Sequence, residues 1–240
     1  VRNPMNIHQI GQISLSPDAV DGIVFWTKNP LPMLHRLSEL DKYNYYFQFT
    51  LNAYDRDVEP NIPSKNNVII PAFQQLSKAI GKDRVIWRYD PIFFNERYTM
   101  EHHCKYFRVL ASKLGEYTEK CTVSFLDLYR NTARNTQPLK IQQETKGQQL
   151  EIMQRFSEIA KEYGIKVYTI GIGTNGQAMF PVAKDANGKL VFRKMPVEID
   201  ESLMKEIAKV TDAKYFRATS NKKLQAIYDE INKLETTEIQ

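Results

Sequence analysis

Nine side chains suited to ligand chemistry sit at the ends of four apolar runs. Val85-Ile-Trp-Arg-Tyr-Asp-Pro91 carries Arg88 and Asp90, and Gly22-Ile-Val-Phe-Trp-Thr-Lys-Asn-Pro30 carries Lys28 and Asn29. Tyr45-Tyr-Phe-Gln-Phe-Thr-Leu-Asn52 carries Gln48, Thr50 and Asn52, and Cys121-Thr-Val-Ser-Phe-Leu-Asp127 carries Ser124 and Asp127. Each run is apolar enough for a sheet interior and ends on groups that a core tolerates only when they are paired. If the four strands are parallel, their ends point into one crevice. Lys28 and Arg88 there suit a carboxylate or phosphate, and Asp90 and Asp127 suit amines or hydroxyls. Alternation along a strand puts Arg88 and Asp90 on one face, with Trp87 and Tyr89 on the other. The plainer alternative is that Arg88 and Asp90 cap neighbouring loops.

The elements that must position these groups alternate between strand and helix. Strands are expected at 22–27, 45–51, 84–89, 121–126 and 166–171, lying side by side. Pro91 lacks a backbone donor and is expected to end pairing of the third strand. Between the strands, Pro30 to Leu40 reads as a helix and Val68 to Ile80 as a second one stopped by Gly81. Thr99 caps a helix to Leu114, and Lys146 to Tyr163 is a long helix ended by Gly164. Crossovers of this length imply parallel strands and right-handed connections. After Gly173 the pattern changes. Ala178 to Val182 and Leu190 to Arg193 flank an Asn-Gly turn and predict a hairpin. Asp200 then caps a helix through Val210, Lys214 to Arg217 is a short strand, and Asn221 to Leu234 is a closing amphipathic helix. The expected class is α/β: a mostly parallel sheet with outer helices, forming an open half-barrel, then a hairpin and a Rossmann-like C-terminal segment.

Composition narrows the function classes. The chain has 240 residues, is 42% hydrophobic and carries a net charge of +5. Its basic residues are spread thinly, which describes a solvated surface rather than a nucleic-acid footprint. Cys104 and Cys121 are the only cysteines, so a disulfide framework is not expected and a reducing, cytoplasmic setting is the simpler reading. No apolar run reaches the roughly 18 residues of a membrane span. Val1-Arg-Asn-Pro-Met-Asn6 has no signal pattern and reads as the middle of a longer sequence. The oligomeric state is open.

Other motifs weigh less. Gly171-Ile-Gly-Thr-Asn-Gly176 matches the dinucleotide fingerprint, but a hairpin rather than a helix follows, so the glycines serve a turn. His102-His-Cys104 lies on a helix, where consecutive side chains splay too far to share one ion, and no metal site is expected. Tyr43, Tyr45, Tyr46, Phe47 and Phe49 could stack bases, but alternation sends half of them into the core. No Ser-His-Asp or Cys-His nucleophile arrangement is available, and no catalytic residue is assigned.

Two resemblances follow from longer strings. The strings Val1-Arg-Asn-Pro-Met-Asn6, Val24-Phe-Trp-Thr-Lys-Asn-Pro30, Tyr46-Phe-Gln-Phe-Thr50, Val85-Ile-Trp-Arg-Tyr-Asp-Pro91 and Glu119-Lys-Cys-Thr-Val-Ser-Phe-Leu-Asp127 resemble an uncharacterised bacterial family, DUF1848. That resemblance covers residues 1 to about 155 and implies a radical-SAM-like barrel, similar to spore photoproduct lyase. It also implies S-adenosylmethionine and an iron–sulfur cluster held by a Cys-x3-Cys-x2-Cys motif that this sequence does not contain. Ala160-Lys-Glu-Tyr-Gly-Ile-Lys-Val-Tyr-Thr-Ile-Gly-Ile-Gly-Thr-Asn-Gly176, Met195-Pro-Val-Glu-Ile-Asp-Glu201 and Lys214-Tyr-Phe-Arg-Ala-Thr-Ser-Asn-Lys-Lys-Leu224 resemble the back half of a BatA-like von Willebrand factor type A domain. The resemblance implies a magnesium-dependent protein-interaction fold whose Asp-x-Ser-x-Ser motif is absent here. The two resemblances meet near Ile159 to Ile165. They imply segments 1–158 and 159–240 of two partial genes, joined by recombination or by sequence assembly and possibly merged into one sheet. The expectation is a radical-SAM-like fragment without its cluster, inactive as it stands, which keeps a crevice for a small molecule or anion. The alternative is a protein-interaction module of the von Willebrand type.

Overall fold

The computed structural model describes residues 2–3, 6–10, 14–126, 136–168, 170–172, 176–184, 190–197, 201–211 and 216–218. Asp127, residues 130–135 of the basic loop, Asp200 and the expected helix at 221–234 lie outside them. At the N-terminus, β1 (Arg2–Asn3) and β2 (Asn6–Ile10) pair antiparallel.

A parallel five-stranded sheet carries the molecule. Its strands are β3 (Ile23–Thr27), β4 (Tyr45–Thr50), β5 (Val85–Ile92), β6 (Lys120–Phe125) and β7 (Lys166–Tyr168), adjacent in that order. Cα register aligns Phe25 with Phe47, Phe49 with Trp87, Trp87 with Cys121, and Cys121 with Val167. These aligned residues share one face, and all of them but Phe25 are buried. The alternate residues Val24, Trp26, Thr50, Arg88, Asp90, Thr122 and Ser124 lie on the opposite face and are half-buried or exposed.

Among the described residues, the helices cover only the first face, and the other is the open face. α1 (Leu31–Leu34) is a single turn, and a 3₁₀ turn at Leu37–Leu40 follows it, so the expected helix over 30–40 is broken at Arg36. α2 (Ile70–Ile80) is entered through a π-type turn at Lys65–Ile69 and stops at Gly81, whose φ of 96° suits glycine. α3 (Met100–Leu114) begins where the Thr99 hydroxyl accepts the His102 amide. α4 (Lys146–Glu162) begins at a capping box made by Thr145 and Gln148. Three rings tie these layers together. Phe107 of α3 stacks on Trp87 at 4.7 Å and on Phe156 of α4 at 3.9 Å. The buried Trp87 indole donates to the Leu51 carbonyl at 2.8 Å, which satisfies its polar atom.

Two strand expectations are corrected. Pairing of β5 does not end at Pro91: the ladder shifts register between Tyr89 and Ile92, and Ile92 then aligns with Phe125. Pro91 cannot donate, so the ladder skips it as a bulge and resumes beyond it. The strand expected at 166–171 divides in two. Lys166–Tyr168 stays in the main sheet, while β8 (Ile170–Ile172) pairs in parallel with β11 (Phe216–Ala218) in a separate two-stranded sheet. The hairpin is present as β9 (Gly176–Lys184) against β10 (Leu190–Val197), and a strand rather than a helix follows the glycine-rich string. α5 (Glu201–Val210) sends Leu203 and Ile207 into the main core, so residues on both sides of Gly164 share one sheet and one core.

The His102-His103-Cys104 string is structural. The fully buried His103 ring meets the Phe93 carbonyl with Nε2 at 3.0 Å and the Tyr89 hydroxyl with Nδ1 at 2.9 Å. A carbonyl only accepts, so Nε2 carries the proton and Nδ1 accepts from Tyr89. His102 instead turns its Nε2 to the Ala53 carbonyl at 3.1 Å. Among the described residues no group of three or more His, Cys, Asp or Glu is placed to hold a metal ion.

Two predictions follow from this core. Phe107→Ala removes the middle ring of the stack and should cost about 3–5 kcal/mol in urea unfolding. The second concerns pH. Burial lowers the His103 pKa to about 4 from its ordinary 6.5. The unfolded chain therefore takes up a proton that the folded chain refuses. Stability is full above about pH 6.5 and falls by roughly 3 kcal/mol as pH drops toward 4. Urea midpoints measured between pH 7.5 and 4.5 should show this slope, and His103→Gln should flatten it.

Candidate functional site

The open face of the sheet carries a planar polar group centred on Arg88. The guanidinium of Arg88 donates from Nε to Asp90 Oδ1 at 3.2 Å, from Nη2 to Asp90 Oδ2, and from Nη1 to Gln48 Oε1. Its carbon lies 4.6 Å from the ring centroid of Trp26 on β3. Arg88 thus reaches across β4, and Gln48 on that intervening strand is only 4% exposed. The side chains of Arg88 and Asp90 are 15% and 16% exposed. Ser124 on β6 donates to Asp90 Oδ2 at 3.4 Å. Thr50 and Thr122 align with Arg88 in the ladder, one on each neighbouring strand.

A second group stands at the rim, in the loop after β4. Glu59 accepts from both Lys28 and Lys65, and its side chain is only 8% exposed. Lys65 also donates to the Asn52 carbonyl at 2.8 Å, to Asn52 Oδ1 at 3.2 Å and to the Tyr54 carbonyl. Burial nevertheless lowers the Lys65 pKa, against the pull of Glu59. Asn52 joins the two groups, because its Nδ2 donates to the Asp90 carbonyl at 3.2 Å. Behind this rim is a groove of about 390 Å³, lined by the 52–66 loop and by Tyr106 and Val109 of α3.

The nine residues picked from sequence therefore divide. Gln48, Thr50, Arg88, Asp90 and Ser124 meet on the open face, and Lys28 and Asn52 belong to the rim. Asn29 turns inward on its own loop, where its side-chain oxygen accepts the Leu31 amide at 3.2 Å. Asp127 lies outside the described residues. Arg88 and Asp90 pair with each other rather than capping separate loops. Sequence reasoning missed Trp26, Glu59, Lys65 and Thr122. Trp26 and Thr122 were legible in the alternation, since each shares the face of a chosen neighbour. Glu59 and Lys65 sit in a loop whose register no periodicity marks.

The donor set does not fit an iron–sulfur cluster, which takes several thiolates at one place. Cys104 on α3 and Cys121 in β6 are the two cysteines, and burial pushes both thiols up. Among the described residues no helix is long and apolar enough to cross a membrane.

No curated protein matches the chain. A solved structure described as an α-L-fucosidase from Bacteroides thetaiotaomicron is similar at 13% identity, covering 97% of this chain and 92% of that one with a TM-score of 0.41. A sugar phosphate isomerase/epimerase from Parabacteroides distasonis is similar at 13% identity, covering 85% and 70% with a TM-score of 0.41. The conserved hypothetical protein BatB from Bacteroides thetaiotaomicron is 19% identical, covering 54% and 59% with a TM-score of 0.29. A model of the domain of unknown function DUF1848 matches residues 1–187, continuing past the junction at 158/159 that the resemblances implied. The chain belongs to the DUF1848 family.

Proposed function

We propose that this chain binds a small polar molecule on the open face of its sheet, near the C-terminal ends of β3 to β6. One observation carries the reading: a charge pair, Arg88–Asp90, is kept mostly buried in the middle of a sheet. Stability does not account for it. Desolvating two charges costs several kcal/mol each, and apolar residues of similar volume are often as stable or more so. Interlocked planar groups held by Gln48, Ser124 and the Trp26 ring instead make a rigid hydrogen-bonding platform, which is what recognition of a polar ligand requires.

The rim supports the same reading. Lys28 and Lys65 share Glu59, so three cations face two carboxylates across the described part of the site. The excess positive charge favours an anion over a cation. The chemistry is binding and orientation. None of the residues brought together is a thiolate or a base poised on a nucleophile, and no reaction step is assigned to them.

Two measurements test this. Arg88→Met leaves Asp90 buried and unpaired and should cost about 2–4 kcal/mol, whereas Arg88→Met with Asp90→Leu should recover most of that loss. A double variant no more stable than the single one would make the pair a structural element. In the second, melting is followed in millimolar sugars, amines, carboxylic acids and nucleotides. A ligand at about 100 times its Kd adds about 2.7 kcal/mol, or roughly 5 °C or more for a chain of this size. At least one class should raise the wild-type midpoint and leave the double variant unmoved. Equal responses from both proteins would remove the open face as the site.

A further inference from the structure

The unused hydrogen-bonding groups on the open face define a ligand class. A guanidinium has five N–H donors. Asp90 takes two of those on Arg88 and Gln48 takes one, which leaves one on each Nη nitrogen. Gln48 is nearly fully buried and its Oε1 is occupied, yet its Nε2 has no partner among the described residues. The hydroxyls of Thr50 and Thr122 are likewise without partners among them, and they flank Arg88 in the ladder at about 4.8 Å, the ordinary spacing between strands. A buried amide with idle N–H groups is costly unless something accepts from it. Every idle group in this set can donate.

We infer that the open face holds a short monocarboxylate with a second oxygen beside the carboxylate, as in a 2-hydroxy or 2-oxo acid. This deepens the binding reading above and rests on it. The planar carboxylate takes the two remaining Arg88 N–H groups, a fork-to-fork match that a flat anion makes well. Thr50 and Thr122 donate from either side, and the Gln48 Nε2 group takes the second oxygen. Charge selects the monoanion. Asp90 already neutralises Arg88, and the rim leaves a single positive charge in excess. A phosphate dianion would bring more negative charge into this half-buried place than the described residues offset. Trp26, 68% exposed on the edge strand, forms the near wall and reports occupancy.

The test uses the tryptophan emission of the whole chain. There are two tryptophans, and Trp87 is fully buried behind the sheet, so a ligand on the open face acts on Trp26. Lactate and pyruvate are titrated, with lactamide as the uncharged counterpart and inorganic phosphate as the tetrahedral anion. Glucose and ethanolamine represent neutral and cationic ligands. Lactate or pyruvate should change the emission saturably, at least ten-fold more tightly than lactamide or phosphate. The change should vanish in Trp26→Phe, which assigns it to that ring. Thr50→Val and Thr122→Val, made separately so that one folded variant suffices, should each weaken the acid about ten-fold without altering the far-ultraviolet spectrum. Phosphate binding more tightly than both acids, or lactamide matching lactate, would overturn the ligand class while the binding face stood. Saturation by glucose or ethanolamine alone would do the same. Silence from all six compounds would overturn the inference, and with no midpoint shift in the melting panel it would overturn the binding reading as well.

Discussion

The alternation of side chains along β5 is the constraint on which everything else depends. A parallel sheet covered by helices on both faces is apolar on both. Here the described helices cover one face, and the period of two divides the strand between opposite demands. Val85, Trp87 and Tyr89 are buried on the helix-covered face, while Arg88 and Asp90 face the other way. A slip of one residue in register would send the charges into the ring stack and the rings to the open face. The stack of Trp87, Phe107 and Phe156 therefore fixes the register of the site as well as the core. The platform inherits its rigidity from the face it does not belong to.

The bulge at Asp90 and Pro91 is the second device. With a proline that cannot donate, the ladder skips these two residues and resumes at Ile92. The skip leaves the Asp90 carbonyl free to accept from Asn52 and the Pro91 carbonyl free to accept from Tyr54 at 2.7 Å. Both acceptors tie the loop after β4 to the end of β5. The strand end and the rim are thus built as one piece, although they lie 38 residues apart in the chain.

Much of this was legible in the residues, for definite reasons. The first four strand positions, the Thr99 cap and the helix stops at Gly81 and Gly164 are local signals, and each appears in the fold. The gathering of Gln48, Thr50, Arg88, Asp90 and Ser124 followed from period two and parallel order alone. Other features depended on partners distant in sequence. Nothing near Glu59 announces two lysines 31 residues before it and 6 after it, because salt bridges between loops leave no periodic trace. The departure of β8 from the main sheet was hidden for a related reason. Residues 166–171 read as one strand, and only the pairing of Ile170–Ile172 with Phe216–Ala218 divides it. Arg88 over Trp26 was also out of reach, since periodicity gives the face but not the length a side chain spans.

Lys65 has a consequence for how the protein opens. Its ammonium closes the 13-residue stretch from Asn52 by meeting two backbone carbonyls, a side-chain amide and the shared Glu59. Those partners also line the groove beside α3. The same loop is tied again by the Tyr54 hydroxyl on the Pro91 carbonyl, by the Tyr98 hydroxyl between the Asp55 amide and the Asp57 carboxylate, and by His102 on the Ala53 carbonyl. It therefore does not fray from its ends but is released as a cooperative unit when these ties are lost together. Amides from Ala53 to Ser64 would then exchange with solvent at a common free energy of opening, below that of the amides in α3 behind them. The rim is a latch with several bolts, and the strands beneath it keep their order when it lifts.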